Sequence, residues 1–510
     1  MPIFKFEAYM DDDFGSRKAV SRASEKLRTA ADVLSSAEVR FALKSVRDAE
    51  AKDLTREILR IIAFTDDSIS NPSIGSLFER AGGGPLNAMR ANIATAYGVV
   101  ESIAGTTGTT GLNVPAVMTL AGEGEAIAVA RDCHVSVHSG ICLSGARPVY
   151  IEPPFDRELG LLLPPTPGEV RAVLEANPDV RAIVVTLPTY HGLMGDITGI
   201  VAECRRRGVL VMVDEAHGPH FHFLRGLGFP LSAEDAGADL ITQSTHKVLS
   251  ALNQGSLLHF NRKELVTRYE EMQALGFQST SFSYPILISI EHAVGQMVND
   301  GERLWGQALK LAEELRRGAS SLPGVRVVDE RIVDGSRVVG LDPTRVTLNV
   351  RDAGLTGYEV GRRLLGEGIL VEMATPDVVL FLVGIAEKRE QIAATLGALA
   401  RAFVGGAKAR TAAAFEPPRS PEQVLTPRQA MMNTFRERLP KAEAIGRISA
   451  ETIGCYPPGQ AIFVAGERLT ADGVRYLTQA VEAGGHLKRV QDDDFQTIEV
   501  VREMKGGSHE

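Results

Sequence analysis

The sequence predicts an α/β fold with a mainly parallel sheet covered by helices, followed by smaller α+β units. Short apolar runs rich in Val and Ile recur between about residues 85 and 260. Most of these runs are separated by helix-like segments such as "PGEVRAVLEANP" and "GIVAECRRRG". Continuous apolar strands that alternate with helices are typical of a parallel sheet buried on both faces.

The composition favours a soluble globular protein that acts on a small molecule. The chain has 510 residues, 44% hydrophobic and 23% charged, enough for two or more packed units. A net charge of −9 argues against a nucleic-acid surface or a polybasic membrane patch. The four cysteines form no CxxC pair, so neither a disulfide scaffold nor a structural zinc site is indicated. The polar start and the lack of long apolar runs predict a cytoplasmic protein.

Five segments are expected along the chain. Residues 1–80 have helical spacing and predict an N-terminal helical arm. Residues 81–340 carry the strand and helix alternation of the large domain, and 341–405 predict a smaller α+β domain. An Ala- and Pro-rich stretch, 406–429, is expected to be a linker before a C-terminal domain at 430–510.

Polar segments follow four successive apolar runs of the large domain. They read "RDCHVSVHSG", "TYHG", "DEAHGPHFHF" and "STHK". Ligands of parallel sheets bind at the carboxyl ends of the strands, so these segments are expected to meet on one rim. The side chains predicted there are His134, Tyr190, His191, Asp214, His217 and Lys247.

Three of these side chains suit pyridoxal 5'-phosphate. This cofactor requires a lysine for a Schiff base, a carboxylate at its pyridine nitrogen, a phosphate site and a flat group against its ring. Lys247 supplies the amine, Asp214 the carboxylate and His134 the stacking imidazole. The sequence therefore predicts a covalent use for Lys247.

A Gly/Thr cluster, "AGTTGTTGLNVPAV", opens a predicted helix and is the candidate phosphate site. Backbone N–H groups and hydroxyls hold phosphates in such places. Thr109, Thr110 and Gly111 are the cradle residues, and Ser244 and His246 are expected to reach the phosphate or the carbonyl region.

Five motifs in order give a resemblance to the bacterial Orn/Lys/Arg decarboxylases. They are "RDCHVSVHSGICLSGARPVYIEP", "PTYHG", "DEAHGPHF", "STHKVLSALNQGSLLH" and "AIGRISAETIGCYPPGQAIFVAGERLTADGVRYL". The resemblance implies the pyridoxal-phosphate-dependent transferase fold of type I. It implies a Schiff base on Lys247, Asp214 at the pyridine nitrogen, His134 on the ring, Ala216 below it, and His217, Ser244 and His246 beside the cofactor.

The resemblance also implies an assembly and a reaction. The segment "QSTSFSY", with Thr280 and Ser281, would reach the phosphate of a neighbouring protomer, which makes the expected active unit a homodimer or a higher homo-oligomer. The implied reaction is decarboxylation of lysine, ornithine or arginine through a quinonoid intermediate, giving an amine of the polyamine type. Glu467 is the candidate for the distal cation of the substrate. The chain resembles a short form without an N-terminal receiver-like domain.

Departures from the family pattern keep a second reaction class open. A His-Pro-Gly-His-Lys-like segment is not found, Val135 stands where lysine is usual, and Phe282 stands where proline is usual. These changes leave aldol cleavage, elimination, cyclisation or transamination as alternatives. A non-catalytic or nucleotide-binding α/β protein is the third hypothesis.

Each candidate residue also has a structural interpretation. Lys247 alone suits a surface lysine, Asp214 a helix N-cap, and His134 a buried structural histidine. Glu467 suits a helix-entry or surface glutamate. The histidines of "HGPHFHF" suggest a metal site only weakly, because no carboxylate or cysteine accompanies them in the sequence.

Overall fold

The computed structural model describes residues 85–279, 282–403, 415–456, 460–488 and 494–502. The predicted helical arm at 1–80 lies outside the described residues, as do Thr280 and Ser281. Within these ranges no helix has the length and apolar character needed to cross a bilayer.

The first unit contains the strand and helix alternation that the sequence predicts. Its elements are α1 (Pro85–Tyr97), β1 (Glu101–Gly105), α2 (Gly108–Leu120), β2 (Ala126–Ala130), α3 (Val135–Ser144), β3 (Arg147–Ile151), β4 (Phe155–Asp156), β5 (Leu161–Leu162), α4 (Pro167–Ala176), β6 (Val180–Thr186), β7 (Leu193–Met194), α5 (Ile197–Arg206), β8 (Leu210–Asp214), β9 (Leu240–Gln243), α6 (Thr245–Val248), β10 (Ser256–Phe260), α7 (Glu264–Gln273) and α8 (Tyr284–Ser320).

The central sheet has the strand order β1-β10-β9-β8-β6-β2-β3. Strands β3, β2, β6, β8 and β9 are parallel, whereas β10 runs antiparallel to both of its neighbours, β9 and β1. This confirms a mainly parallel sheet. The last predicted run, 255–260, is the antiparallel β10, because the chain turns back beside β9 after the short helix α6.

The sheet is buried because helices cover both faces. Strands β2, β8 and β9 bury almost every residue, and their alternate side chains pack into two separate apolar clusters. One cluster includes Ile200 of α5 and Leu174 of α4, and the other includes Leu112 of α2 and Ile141 of α3. This two-sided burial explains why the strand sequences are continuously apolar.

The second unit is a smaller antiparallel sheet with two helices. Its elements are β11 (Arg326–Val327), β12 (Gly340–Leu341), β13 (Arg345–Asn349), α9 (Gly357–Gly366), β14 (Met373–Ala374), β15 (Val378–Leu382) and α10 (Arg389–Ala402). The sheet order is β11-β13-β15-β14, whereas β12 pairs with β7 of the first unit. The end of the long helix α8 packs into the apolar cluster formed by β13, β15, α9 and α10. This contact joins the first unit to the second.

The third unit holds two further small sheets. Its elements are α11 (Pro427–Met431), β16 (Arg436–Pro440), α12 (Lys441–Ala444), β17 (Ile453–Tyr456), β18 (Gln460–Phe463), α13 (Ala471–Glu482), β19 (His486–Lys488) and β20 (Thr497–Val501). Strand β16 pairs with β20, and β17 lies between β18 and β19. The predicted domain boundaries stay a prediction.

A buried ion pair joins the third unit to the central sheet. Arg131, directly after β2, donates to the two carboxylate oxygens of Glu467 at 2.6 and 2.9 Å. The side chains are 5% and 0% exposed. Glu467 also accepts from the N–H of Val464, and Arg131 donates to the carbonyl of Ile462. Both partners are therefore satisfied where water is excluded.

We predict that Glu467→Ala lowers the free energy of unfolding by about 3 to 5 kcal/mol, because it leaves the Arg131 guanidinium buried and unpaired. Urea unfolding followed by circular dichroism measures the change. Glu422→Ala is the matched control, since it removes an exposed pair with Arg468 and should cost about 1 kcal/mol or less. Equal losses in the two variants would contradict the prediction.

Candidate functional site

A cavity of about 500 Å³ lies at the carboxyl edge of the parallel strands. Residues after β1, β2, β6, β8 and β9 form its base. The second unit contributes Tyr358 and Asp377 to the walls, and the third contributes Gln460 and Tyr476. All three units therefore enclose one site.

Lys247 enters this cavity from α6, which begins immediately after β9. Its side chain faces the open cavity, and its Nζ lies 3.1 Å from Nε2 of His217. Burial among protein atoms lowers the pKa of Lys247, although the carboxylates of Asp214 and Glu372 oppose the shift. A lysine in this setting is a better nucleophile at neutral pH than a surface lysine.

Asp214 ends β8 and is 2% exposed. Its Oδ2 accepts from the side chain of Asn113 at 2.9 Å, and its Oδ1 accepts from the N–H of Ala216 at 3.1 Å. Asn113 is itself fixed, because its Oδ1 accepts from Thr242 and its amide also donates to Ser136. The carboxylate is thus held in one orientation at the floor of the cavity.

Sequence reasoning missed Asn113. The signal available was a buried amide one turn into α2, between the apolar residues Leu112 and Val114. A polar side chain at such a position needs a buried partner. Which partner it would find could not be read from the sequence, because Asp214 lies 101 positions away.

The Gly/Thr cluster forms the start of α2, with Thr107 before it. Thr109 and Ser244 share a hydrogen bond between their hydroxyls, so the cluster meets the end of β9. Thr107, Thr109 and Thr110 line the cavity, whereas Gly111 does not. Gly111 instead permits close packing, because a Cβ there would meet Oγ1 of Thr107 at 1.9 Å. The hydroxyls and the N-terminus of the helix provide a site for an anion.

His134 lies at the N-terminus of α3 and lines the cavity with Ala216. Its Nδ1 accepts from the N–H of Ser136 at 3.2 Å and lies 2.8 Å from the Ser136 hydroxyl. The ring is therefore fixed by its own helix cap. His246 also lines the cavity, and its Nδ1 donates to the carbonyl of Gly255 at 2.7 Å. Tyr190 and His191 complete the predicted rim.

The histidines of "HGPHFHF" point to different partners. His217 contacts Lys247, His220 stacks on Trp305 at 4.3 Å, and His222 lies 3.1 Å from the Asp235 carboxylate. Among the residues that the structure describes, no cluster of three His, Cys, Asp or Glu side chains suits a metal ion.

Glu467 is a correction to the sequence analysis. It does not line the cavity, because its carboxylate is bound by Arg131 within the junction of the units. Asp132, the next residue after that arginine, does line it. The Oδ1 of Asp132 is buried and has no hydrogen-bond partner among the described residues. Burial, assisted by Glu152, raises the pKa of Asp132 to about 6.

The arrangement fits pyridoxal 5'-phosphate on several grounds. The cavity volume suits a small cofactor and a substrate. An accessible lysine, a fixed carboxylate and a hydroxyl-lined helix start all open into it. These are the groups that the aldehyde, the pyridine nitrogen and the phosphate of this cofactor need.

Comparison with known proteins gives matches over most of the chain. The family model of the Orn/Lys/Arg decarboxylase major domain matches residues 53–391, and that of the C-terminal domain matches 408–488. The arginine decarboxylase of Halalkalibacterium halodurans is 33% identical over 416 residues, covering 80% of this chain and 84% of the relative. That of Bacillus subtilis is 32% identical over 419 residues, covering 81% and 84%.

Solved structures show a similar fold. The constitutive lysine decarboxylase of Escherichia coli superimposes with a TM-score of 0.70 at 21% sequence identity, covering 95% of this chain and 82% of that one. The lysine decarboxylase of Francisella novicida also gives a TM-score of 0.70 at 21% identity, covering 83% and 72%. The type I fold expected from the motifs is thereby confirmed.

We predict a pH-dependent stability difference between the wild type and Asp132→Asn. The pKa of Asp132 rises from 3.8 to about 6 on folding, so the folded state favours the protonated carboxyl. The wild type should be fully stabilised by this group below about pH 4 and lose about 3 kcal/mol relative to Asp132→Asn as pH rises through about 6. Urea unfolding at several pH values measures this. Parallel curves across that range would refute it.

Proposed function

The chain belongs to the Orn/Lys/Arg decarboxylase family, and we propose that it decarboxylates a basic amino acid. Members of this family are pyridoxal-phosphate-dependent carboxy-lyases. Arginine is the first substrate to test, because the relatives with 32–33% identity in the comparison above are arginine decarboxylases. Lysine and ornithine are the other candidates.

The observation that carries the proposal is the meeting of Lys247, Asp214 and the start of α2 in one cavity. These groups come from segments far apart in the chain, yet each opens into the same space. Nothing in a purely structural role requires an accessible lysine beside a fixed buried carboxylate. A cofactor that needs both groups accounts for the arrangement.

In this proposal Lys247 would hold pyridoxal phosphate covalently, and the hydroxyls of Thr109 and Ser244 would bind its phosphate. When bound, the cofactor's pyridine ring accepts the electron pair released as carbon dioxide leaves the substrate. Asp214 would keep a proton on the pyridine nitrogen, and Asn113 keeps that carboxylate oriented. His134 would cover one face of the ring and Ala216 the other. The proton that returns to the substrate Cα would come from Lys247 or from a nearby histidine.

Asp132 is our candidate for the group that binds the cationic end of the substrate. It replaces Glu467 in this role, since its carboxylate lines the cavity and has a buried oxygen that lacks a partner among the described residues. A guanidinium or ammonium group would supply the missing hydrogen bond and offset the cost of ionising the carboxylate there.

We further propose a homodimer or larger homo-oligomer, located in the cytoplasm, in which the segment 278–284 contributes to the partner's cofactor site. The amine product would belong to the polyamine class. Support comes from the motif at Thr280 and Ser281, which by resemblance to the family would reach the phosphate of a neighbouring protomer.

We expect the purified protein to release carbon dioxide from one basic amino acid and to form the matching amine. Lys247→Ala should lower this activity by at least about four orders of magnitude, because the covalent attachment is lost. Radiolabelled carbon dioxide release and chromatography of the amine measure both quantities. A protein that binds the cofactor at Lys247 but releases no carbon dioxide would favour the other pyridoxal-phosphate reactions.

We expect Asp132→Asn to raise KM for the cationic substrate by about 10- to 100-fold, the range of a lost charge-assisted hydrogen bond. Steady-state kinetics with the substrate identified above measures this change. Glu152→Gln is the matched control, because Glu152 is an exposed carboxylate close to Asp132 that does not line the cavity. An unchanged KM in Asp132→Asn would exclude this residue as the substrate anchor.

A further inference from the structure

A chain of buried polar groups leads from the second unit to Lys247. Arg345 begins β13 and is 1% exposed, and its Nη2 lies 2.6 Å from Nδ1 of His217. On the other edge of the His217 ring, Nε2 lies 3.1 Å from Nζ of Lys247. The second unit thus reaches the reactive lysine through one imidazole.

The proton positions along this chain follow from counting donors. An arginine side chain carries only donors, so Arg345 must donate to Nδ1 of His217. Nδ1 then bears no proton, and the neutral imidazole carries its proton on Nε2. That N–H can only donate toward Nζ of Lys247, and an ammonium group has no lone pair to accept it. The geometry is therefore satisfied when Lys247 is an amine.

We propose that Arg345 and His217 form a proton-ordered relay that holds Lys247 as a neutral amine, and that Arg345 is a positioning residue for the reaction. The inference rests on the proposed function, in which the Lys247 nitrogen attacks the aldehyde carbon of pyridoxal phosphate. In that step a C=N bond forms, and the aldehyde oxygen leaves as water with the two amine protons. The relay supplies the lone pair that this attack needs.

Other features of the site support the relay. Arg345 also donates to the carbonyl of Tyr190 at 2.8 Å, and its Nε lies 3.6 Å from the Asp342 carboxylate, so the guanidinium is fixed on two further sides. The Tyr190 ring packs edge-on against His217 at 4.6 Å. Burial, Lys247 and Arg345 all lower the pKa of His217, which keeps the imidazole neutral.

The charged or titratable groups around Lys247 act in both directions. Asp214 and Glu372 favour the ammonium form, whereas burial and Arg345 favour the amine. Among the described residues, charge interactions with Lys247 or His217 come from Asp214, Arg345, Glu372, His134 and His246, and the cavity is also lined by Asp132, Tyr190, His191 and Asp377. Arg345 is the cation of this set that also fixes the tautomer of His217.

The test is the pH dependence of covalent cofactor uptake, which does not depend on turnover. Full-length protein prepared without cofactor is mixed with pyridoxal phosphate at a series of pH values, and the adduct is trapped with borohydride. Mass spectrometry of the Lys247 peptide then gives the rate of attachment. The midpoint of the rate profile reports the pKa at which Lys247 becomes an amine.

We expect Arg345→Gln to raise this midpoint by about one pH unit or more, so that attachment at pH 7 slows about tenfold. Arg345→Lys should move the midpoint back toward the wild type, because an ammonium also has only donors. The matched control is Arg316→Gln. Arg316 donates to the backbone carbonyls of Pro343 and Arg345, so its loss disturbs the same strand without removing the relay and should leave the midpoint unchanged.

The outcomes separate the two proposals. If the wild type forms no adduct at Lys247 at any pH, the proposed function fails. If the adduct forms but Arg345→Gln keeps the wild-type midpoint, the relay is wrong and the proposed function survives. If Arg345→Gln does not fold, nitrogen-15 spectra of histidine-labelled wild type test the relay instead. They show which ring nitrogen of His217 carries the proton, and His217→Gln is used to assign the signals. A His217 protonated on Nδ1 would overturn the relay.

Discussion

The shared direction of β2, β6, β8 and β9 is the constraint on which the site depends. Parallel strands present all their carboxyl ends at one edge, and the chain must leave the sheet there through segments that are free to carry polar groups. Residues 132–134, Asp214 and Lys247 each follow or end one of these strands. Residues that are far apart in the sequence therefore lie close together around one cavity.

Two buried carboxylates of the described residues, Asp214 and Glu467, are held in chains of hydrogen bonds rather than in isolated pairs. Asp214 is held by Asn113, which is in turn held by Thr242. Glu467 receives the guanidinium of Arg131 and a backbone N–H. An ionised side chain removed from water is stable only when nearly all its hydrogen-bonding capacity is used. Such chains fix orientation, and orientation is what a covalent cofactor and a proton transfer demand of their surroundings.

The second and third units also supply buried charged groups that need hydrogen-bond partners. Both β13 and the loop after β18 send charged groups toward the large sheet, Arg345 to the reactive region and Glu467 to the arginine after β2. The smaller domains therefore do more than close the cavity. They contribute a cation, Arg345, and an anion, Glu467, to the buried polar groups that follow the parallel strands.

Much of the fold was predictable, because strand periodicity and two-sided burial leave a direct mark on composition. The runs at 126–130, 182–188 and 239–244 correspond to β2, β6 and β9. The antiparallel direction of β10 was not predicted, since an apolar run has the same composition in either direction. The candidate site was predictable as far as residues follow strands, which applies to Lys247 and Asp214.

The sequence by itself determined the fold class, the rim on which polar groups gather and the family, because apolar periodicity and ordered motifs are local in the chain. Only the tertiary structure decided which side chains share partners. It placed Asn113 on Asp214, removed Glu467 from the cavity to Arg131 and brought Arg345 to His217. Hydrogen bonds act over about 3 Å, and contacts between positions more than a hundred residues apart depend on packing that no single stretch of sequence records.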